Sequence, residues 1–189
     1  MSYEQIPGWF SSEIEYSKAV ERTPDGGTIV EIGVALGRSI AFLAQEVLAS
    51  GKTIHIVGID PWLEIMGQEQ PDKQWIGKQY PGPREAFEGL MAEHAPRERE
   101  IVEIVQGYSW DVAPQFPDLS LDFVFVDGCH EYDAVKRDIS TYLPKMKMGA
   151  IMAGDDFSNN LFPGVIRAVQ ESFFVHGWKV RGVTWWVDL

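Results

Sequence analysis

Five short apolar runs, separated by stretches of helical period, dictate what this chain can become. Thr28–Ile32 (TIVEI), Ile54–Ile59 (IHIVGI), Ile101–Val105 (IVEIV), Leu121–Val126 (LDFVFV) and Met148–Ala153 read as strands. Ile40, Leu43, Ala44, Val47 and Leu48 follow i, i+3, i+4, i+7, i+8, which predicts a helix running to about Ala49 and stopped by Gly51. Ser109–Phe116 predicts a short helix closed by Pro117. Tyr132, Val135, Ile139, Tyr142 and Leu143 predict a longer one stopped by Pro144, and Val165–Val175 a further one. The tail, Lys179–Leu189, reads as two strands broken at Gly182, for seven strands in all. Strands that are continuously apolar are buried on both faces, and strand–helix alternation implies right-handed crossovers. The expected fold is α/β, a doubly wound and mostly parallel sheet with helices on both faces.

Two stretches exceed this minimum: residues 1–24, with a helix near Ser12–Arg22, and the Gly-, Pro-, Gln- and Trp-rich stretch 62–83. The first reads as an N-terminal helical extension and the second as a lid-like insertion in a single domain, 25–189. The 189 residues, 45% hydrophobic and 23% charged, suffice for one domain with its own core. A single cysteine, Cys129, excludes an internal disulfide framework and fits a reducing compartment. No apolar run reaches membrane-spanning length and the N-terminus, MSYEQIPGWF, has no signal-peptide pattern, so a soluble, cytoplasmic protein is expected. Net charge is −12 and both halves are acidic, which repels phosphate backbones. Neither nucleic acid nor a membrane is an expected partner.

Three groups of residues could carry chemistry. Between the first strand and the first helix lies Glu31-Ile-Gly33-Val-Ala-Leu-Gly37-Arg-Ser39. Its glycines let backbone approach a ligand and the helix start offers free N–H groups. Ala35 stands where the dinucleotide fingerprint needs glycine, and Glu31 would repel a pyrophosphate; an ammonium or sulfonium group suits it. Asp60, ending the second strand, is placed to accept both hydroxyls of a ribose. Asp127 ends the fourth strand and Asp155-Asp156 the fifth, so three carboxylates converge where a ligand crevice opens. A hard divalent cation, Mg²⁺ before Mn²⁺ or Ca²⁺, would relieve their repulsion. His130, three residues past Asp127, leans over the same crevice as a candidate general base. His55, inside a strand, reads as a packed core residue, and His94 and His176 as helix-end residues.

These motifs together resemble the class I S-adenosylmethionine-dependent methyltransferases over residues 28–175, and especially the metal-dependent O-methyltransferases of the catechol and macrocin types. The resemblance, with the pattern above, implies a seven-stranded Rossmann-like sheet with an antiparallel C-terminal strand. It implies that Glu31, Gly33, Gly37 and Ser39 line the methionine end of the cofactor, with Ser39 on its carboxylate, and that Asp60 holds the ribose. Gly107-Tyr108-Ser109-Trp110-Asp111 is similar to the family's adenine turn, with Ser109 as the contact. Asp127, Asp155 and Asp156 match the metal ligands, and Asp127 borders the cofactor and the chemistry as well. His130 falls where catechol enzymes place a catalytic lysine, and Asp156 stands where they have asparagine, nearer the macrocin pattern. The wider family includes cephalosporin hydroxylase-like proteins, so membership alone does not fix methyl transfer.

The expected reaction is metal-assisted methyl transfer to a small-molecule hydroxyl, with S-adenosylmethionine as donor and His130 as base. Trp62, Trp75, Tyr80 and Phe157 are candidate walls of the acceptor pocket, and a second subunit is expected to complete its thinly covered side. Two rivals stand beside this: a metal-dependent hydrolase using the Asp cluster, and a cofactor-binding module without catalysis.

Overall fold

The computed structural model describes residues 2–63, 79–158 and 160–189. Its chain order is α1 (Glu13–Arg22), β1 (Thr28–Ile32), α2 (Arg38–Ser50), β2 (His55–Asp60), α3 (Pro83–His94), α4 (Pro96–Glu100), β3 (Val102–Gln106), α5 (Ser109–Val112), β4 (Leu121–Val126), α6 (Tyr132–Tyr142), β5 (Met146–Gly154), α7 (Pro163–Ser172), β6 (Lys179–Arg181) and β7 (Thr184–Asp188). The strands form one seven-stranded sheet in the order β3-β2-β1-β4-β5-β7-β6. The first five are parallel, and β7 runs antiparallel to both β5 and β6. This is the expected architecture. Most of the lid-like insertion, with Trp75, lies outside the described residues.

Period-two alternation sends neighbouring strand residues to opposite faces. Ile29, Ile56, Phe123, Phe125 and Ile151 pack under α1, α2 and α3. Val30, Val57, Val124 and Met152 pack under α5, α6 and α7. Both faces of the sheet's centre are therefore dry, which is why β1, β2 and β4 carry no regular polar alternation. The α3 and α4 helices fill the gap before β3, for which the sequence pattern predicts no element. Ala86, Phe87, Leu90 and Met91 form the buried side of α3, and both helices begin at a proline, where the missing N–H costs nothing.

What positions a site is the alignment of the carboxyl ends of the strands. Past the end of each strand the backbone ladder continues by one bond: Gly107 N–H to Asp60 O (3.1 Å), Gly33 N–H to Ile59 O (2.8 Å), Asp127 N–H to Ile32 O (2.8 Å) and Asp155 N–H to Val126 O (3.2 Å). The residues that follow β1, β3, β4 and β5 are thus fixed along one rim. Among the histidines one expectation is corrected: His55 stands at the opposite end of β2, where its side chain is half exposed and pairs with Glu103 at 2.7 Å. As the first residue of its strand it precedes the buried run instead of lying within it.

Candidate active site

At the end of β1 the chain turns through Gly33 (φ +89°) and Gly37 (φ +97°) into α2. A β-carbon built on Gly33 would overlap the Asp127 carbonyl oxygen, and one on Gly37 would sit 2.9 Å from Met91 and Phe87. Both glycines are required by close approach of the protein to itself, whatever ligand the loop also meets. Asp60 clamps this loop: one carboxylate oxygen accepts from the amides of Val34 and Ala35 (both 2.9 Å), the other from Trp62 N–H (2.7 Å). Burial raises its pKa, and the three amides pull it back down. Trp62 then donates its indole N–H to the Ala35 carbonyl at 2.9 Å and packs on Phe87. Trp62 is buried under α3, so it secures the loop. Tyr80 lies against Gly89 of α3, and Phe157 packs partly buried on the α6–α7 side of the sheet.

Glu31 is 1% exposed. Its two oxygens accept from Tyr16 Oη (2.9 Å) and Ser39 Oγ (2.6 Å). Burial pushes its carboxyl up to about 8, the two hydroxyl bonds opposing that rise. In this arrangement the Ser39 proton is given to Glu31, and the serine's lone pairs are left free. Tyr16 comes from the N-terminal extension, a contribution that no motif in the sequence announces.

The acidic rim divides in two. Asp127, His130 and Asp156 each offer one ligand atom, all within 4.8 Å of one another. His130 Nε2 stands 2.8 Å from Asp156 and 3.9 Å from Asp127. Asp156 reaches the imidazole from a left-handed backbone (φ +60°). Its neighbour Asp155 is outside the trio, with one oxygen buried and without a hydrogen-bond partner among the described residues. Burial pushes Asp127 up to about 7, with His130 pulling down and Asp155 pushing further up. Burial disfavours the charged form of His130, but the bonds to Asp127 and Asp156 outweigh it and raise the imidazole to about 10. In the presence of bare carboxylates it holds its proton at neutral pH.

On the β3 side, Ser109 opens α5 and turns its hydroxyl inward, donating to Asp138 of α6. Tyr142 Oη bonds the Ser109 carbonyl at 2.9 Å. Asp138 is 2% exposed, and it is a site residue that the motifs do not single out. Its signal is nonetheless present: it lies three residues beyond Val135 and one before Ile139, an acid on the apolar stripe of α6.

A glycine-lined turn, an acid ending the second strand and an acid–histidine rim share one edge of a 3-2-1-4-5-7-6 sheet, and residues 30–157 match the family model described as a methyltransferase domain. The chain belongs to the class I S-adenosylmethionine-dependent methyltransferases. Uncharacterized protein R132 of Acanthamoeba polyphaga mimivirus is 31% identical over 153 residues; the match covers 78% of this chain and 59% of that protein. Among solved structures, the calicheamicin methyltransferase CalS11 superposes with a TM-score of 0.65 at 18% identity, covering 94% of this chain and 77% of that one. The O-methyltransferase NovP does so with a TM-score of 0.66 at 16% identity, covering 93% and 78%. At such identities these likenesses establish the methyltransferase fold. No helix among the described residues is long and apolar enough to cross a membrane.

Proposed function

We propose that this methyltransferase acts on the hydroxyl of a small molecule, with S-adenosylmethionine as donor and a divalent cation, Mg²⁺ or a close relative, beside the acceptor. The observation that carries this reading is the meeting of Asp127, His130 and Asp156 on the rim beside the glycine turn. Glu31, Gly33, Gly37, Ser39, Asp60, Ser109 and Asp127 would line the cofactor. An ammonium group brought beside Glu31 would favour the carboxylate over the protonated acid, and Asp60, with one lone pair left after its three amide bonds, would accept from a ribose hydroxyl. Asp127 and Asp156 would hold the cation, with Asp155 as the adjacent carboxylate. Two carboxylate oxygens within one small span fit such an ion, with the His130 imidazole beside them left for the acceptor proton.

The sulfonium donor supplies an activated methyl group, and a bound cation lowers the pKa of an acceptor hydroxyl. With that cation taking up the charge of Asp127 and Asp156, His130 would give up the proton it holds against the bare carboxylates, and its neutral Nε2 would take the hydroxyl proton as the acceptor oxygen bonds the methyl carbon and the carbon–sulfur electrons return to sulfur. The rim carboxylates orient the imidazole, and the aligned strand ends hold the two reactants in line. A second copy of the chain completing the acceptor side belongs to the same reading, and light scattering showing a monomer during turnover would remove it. The acidity of the chain and the absence of a Lys/Arg cluster in its sequence favour a small-molecule acceptor over nucleic acid.

The test is calorimetric titration of S-adenosylhomocysteine into the protein, with Mg²⁺ and then with EDTA. Micromolar or tighter binding, with heat on adding Mg²⁺ alone that is lost in Asp127→Ala, supports the reading. Absence of nucleoside binding under both conditions overturns it and favours a metal-dependent hydrolase.

A further inference from the structure

We propose that Phe162 is the residue that holds the His130 imidazole in place once a cation occupies Asp127 and Asp156. The inference rests on the functional reading above and deepens it. Phe162 is a positioning residue, acting through His130.

Two contacts of different kinds grip the imidazole. Its Nε2 meets Asp156 at 2.8 Å and Asp127 at 3.9 Å. Its ring also packs against Phe162, with centroids 4.4 Å apart and planes tilted by 58°. Both grips come from one segment, the connection between β5 and α7. Ser158 N–H donates to Asp156 O at 2.7 Å and Phe162 N–H to Ser158 O at 2.9 Å, so backbone bonds link the two residues. The Asp156 end is tied to the β6–β7 turn, through Phe157 N–H to Val183 O at 2.7 Å. The Phe162 end leads into α7, with Val165 N–H bonded to Phe162 O at 3.1 Å and the Phe162 ring packed on the α6–α7 core.

The backbone that carries His130 is confined as well. Gly164, in the first turn of α7, lies so close that a β-carbon on it would stand 2.7 Å from Tyr132 N and 3.2 Å from His130 O. With both main chains held, what is left to vary is the direction of the imidazole about its own side-chain torsions. The two grips do not respond alike to a cation. Carboxylate oxygens are what a hard divalent ion takes, and an ion on Asp127 and Asp156 draws their charge away from the imidazole. The Phe162 contact is dispersion and ring packing, which the ion leaves intact. It is therefore the grip that persists in the loaded site. The His130 side chain is 32% exposed, and that open part is what an acceptor can reach.

The experiment follows the ring signals of the four histidines by NMR, with and without MgCl₂, in the wild type, Phe162→Leu and Phe162→Tyr. The His130 signals are assigned by their loss in His130→Ala, and couplings to its β-carbon protons read the rotamer. In the wild type His130 should show an upfield ring-current displacement and one rotamer, both kept when Mg²⁺ is added. Phe162→Leu should lose the displacement, keep one rotamer without Mg²⁺ and populate a second when Mg²⁺ is added. Phe162→Tyr keeps an aromatic ring and should retain the single rotamer. Calorimetry on the same variants should give Mg²⁺ and S-adenosylhomocysteine affinities within about threefold of wild type, where a merely structural role would weaken both. A Mg²⁺-loaded Phe162→Leu with the wild-type rotamer overturns the inference, and so does a wild type whose His130 rotamer averages when Mg²⁺ binds. If Phe162→Leu does not fold, Phe162→Met, similar in volume and without a ring, carries the same test. A wild type that takes up neither Mg²⁺ nor S-adenosylhomocysteine overturns the functional reading, and this inference with it.

Discussion

The Tyr16 hydroxyl donates to Glu31 Oε2 at 2.9 Å, and both residues are buried, so the N-terminal helix is bonded directly to the end of β1, where the glycine turn begins. The helix is part of the site's support. Tyr16→Phe keeps the ring contacts with Phe10 and Phe125 but leaves one Glu31 oxygen without its donor. The expected cost is about 1–3 kcal/mol of stability. Denaturant melts at about pH 6.5, below the raised Glu31 pKa, read it directly. A change below about 0.3 kcal/mol would mean that the bond is idle.

The same burial makes stability depend on pH in a stated direction. Glu31 has a folded pKa of about 8, above the ordinary carboxylate value, so between roughly pH 4.5 and 8 the folded protein binds the extra proton. Its contribution is fully present below the unfolded pKa and is lost as pH rises through the folded one. Glu31→Gln mimics the protonated acid and removes this loss. The variant's melting temperature should gain on the wild type by several degrees, about 5 °C, between roughly pH 5 and pH 8.5. Curves that stay parallel across that range would show that Glu31 ionises normally.

Gly33 gives the sharpest structural prediction. A methyl group there overlaps the Asp127 carbonyl and the backbone stays at φ +89°, so clash and strain add. Gly33→Ala should cost roughly 4 kcal/mol or more, or prevent folding. Gly51, also at positive φ (+70°), has nothing within 4 Å of an added β-carbon. Gly51→Ala should therefore cost only about 1 kcal/mol. Equal losses in the two variants would refute the close-approach account.

Trp62 ties the segment after β2 to the loop after β1. Ala35 sits at φ +48° with its carbonyl bonded to the Trp62 indole, and its amide is held by Asp60. Trp62→Phe keeps much of the packing on Phe87 and loses the indole N–H. It should lower stability by about 1–2 kcal/mol and weaken S-adenosylhomocysteine binding, because the loop is released from its left-handed turn. Unchanged affinity in a folded Trp62→Phe variant would show that Asp60 alone shapes the loop.

The central strands β1, β2 and β4 can be read from the sequence because each is buried on both faces and so leaves a nearly unbroken apolar run; Leu121–Val126 matches the structure to the residue. The rim acids are legible for a related reason, since a charge directly after such a run has to sit at the strand's end. What the sequence does not carry is the direction of short polar side chains. Ser39 and Ser109 stand where they are expected, yet both spend their protons on buried acids, Glu31 and Asp138. Adjacent residues Asp155 and Asp156 look equivalent in the sequence, but the left-handed backbone at Asp156 sends only one of them to His130. Tyr16 belongs to a segment that looks peripheral, because nothing local marks a partner 15 residues away.

His130 decides whether the rim is a reaction centre. Its Nε2 is 2.8 Å from Asp156, and with the bare carboxylates around it the ring keeps its proton, with a pKa raised to about 10 by those bonds against the opposing effect of burial. If the imidazole serves as base, His130→Ala removes the proton acceptor and leaves the glycine turn and Asp60 untouched. Turnover should fall by about 10²–10⁴ while S-adenosylhomocysteine affinity stays within about threefold of wild type. Asp156→Asn keeps the shape and removes a charge, so it should weaken Mg²⁺ or Mn²⁺ binding with no comparable loss of nucleoside affinity. Metal titration and cofactor titration on the same two variants separate the roles. If His130→Ala loses metal affinity as completely as Asp156→Asn, the imidazole is a ligand, and the proton must leave by another group.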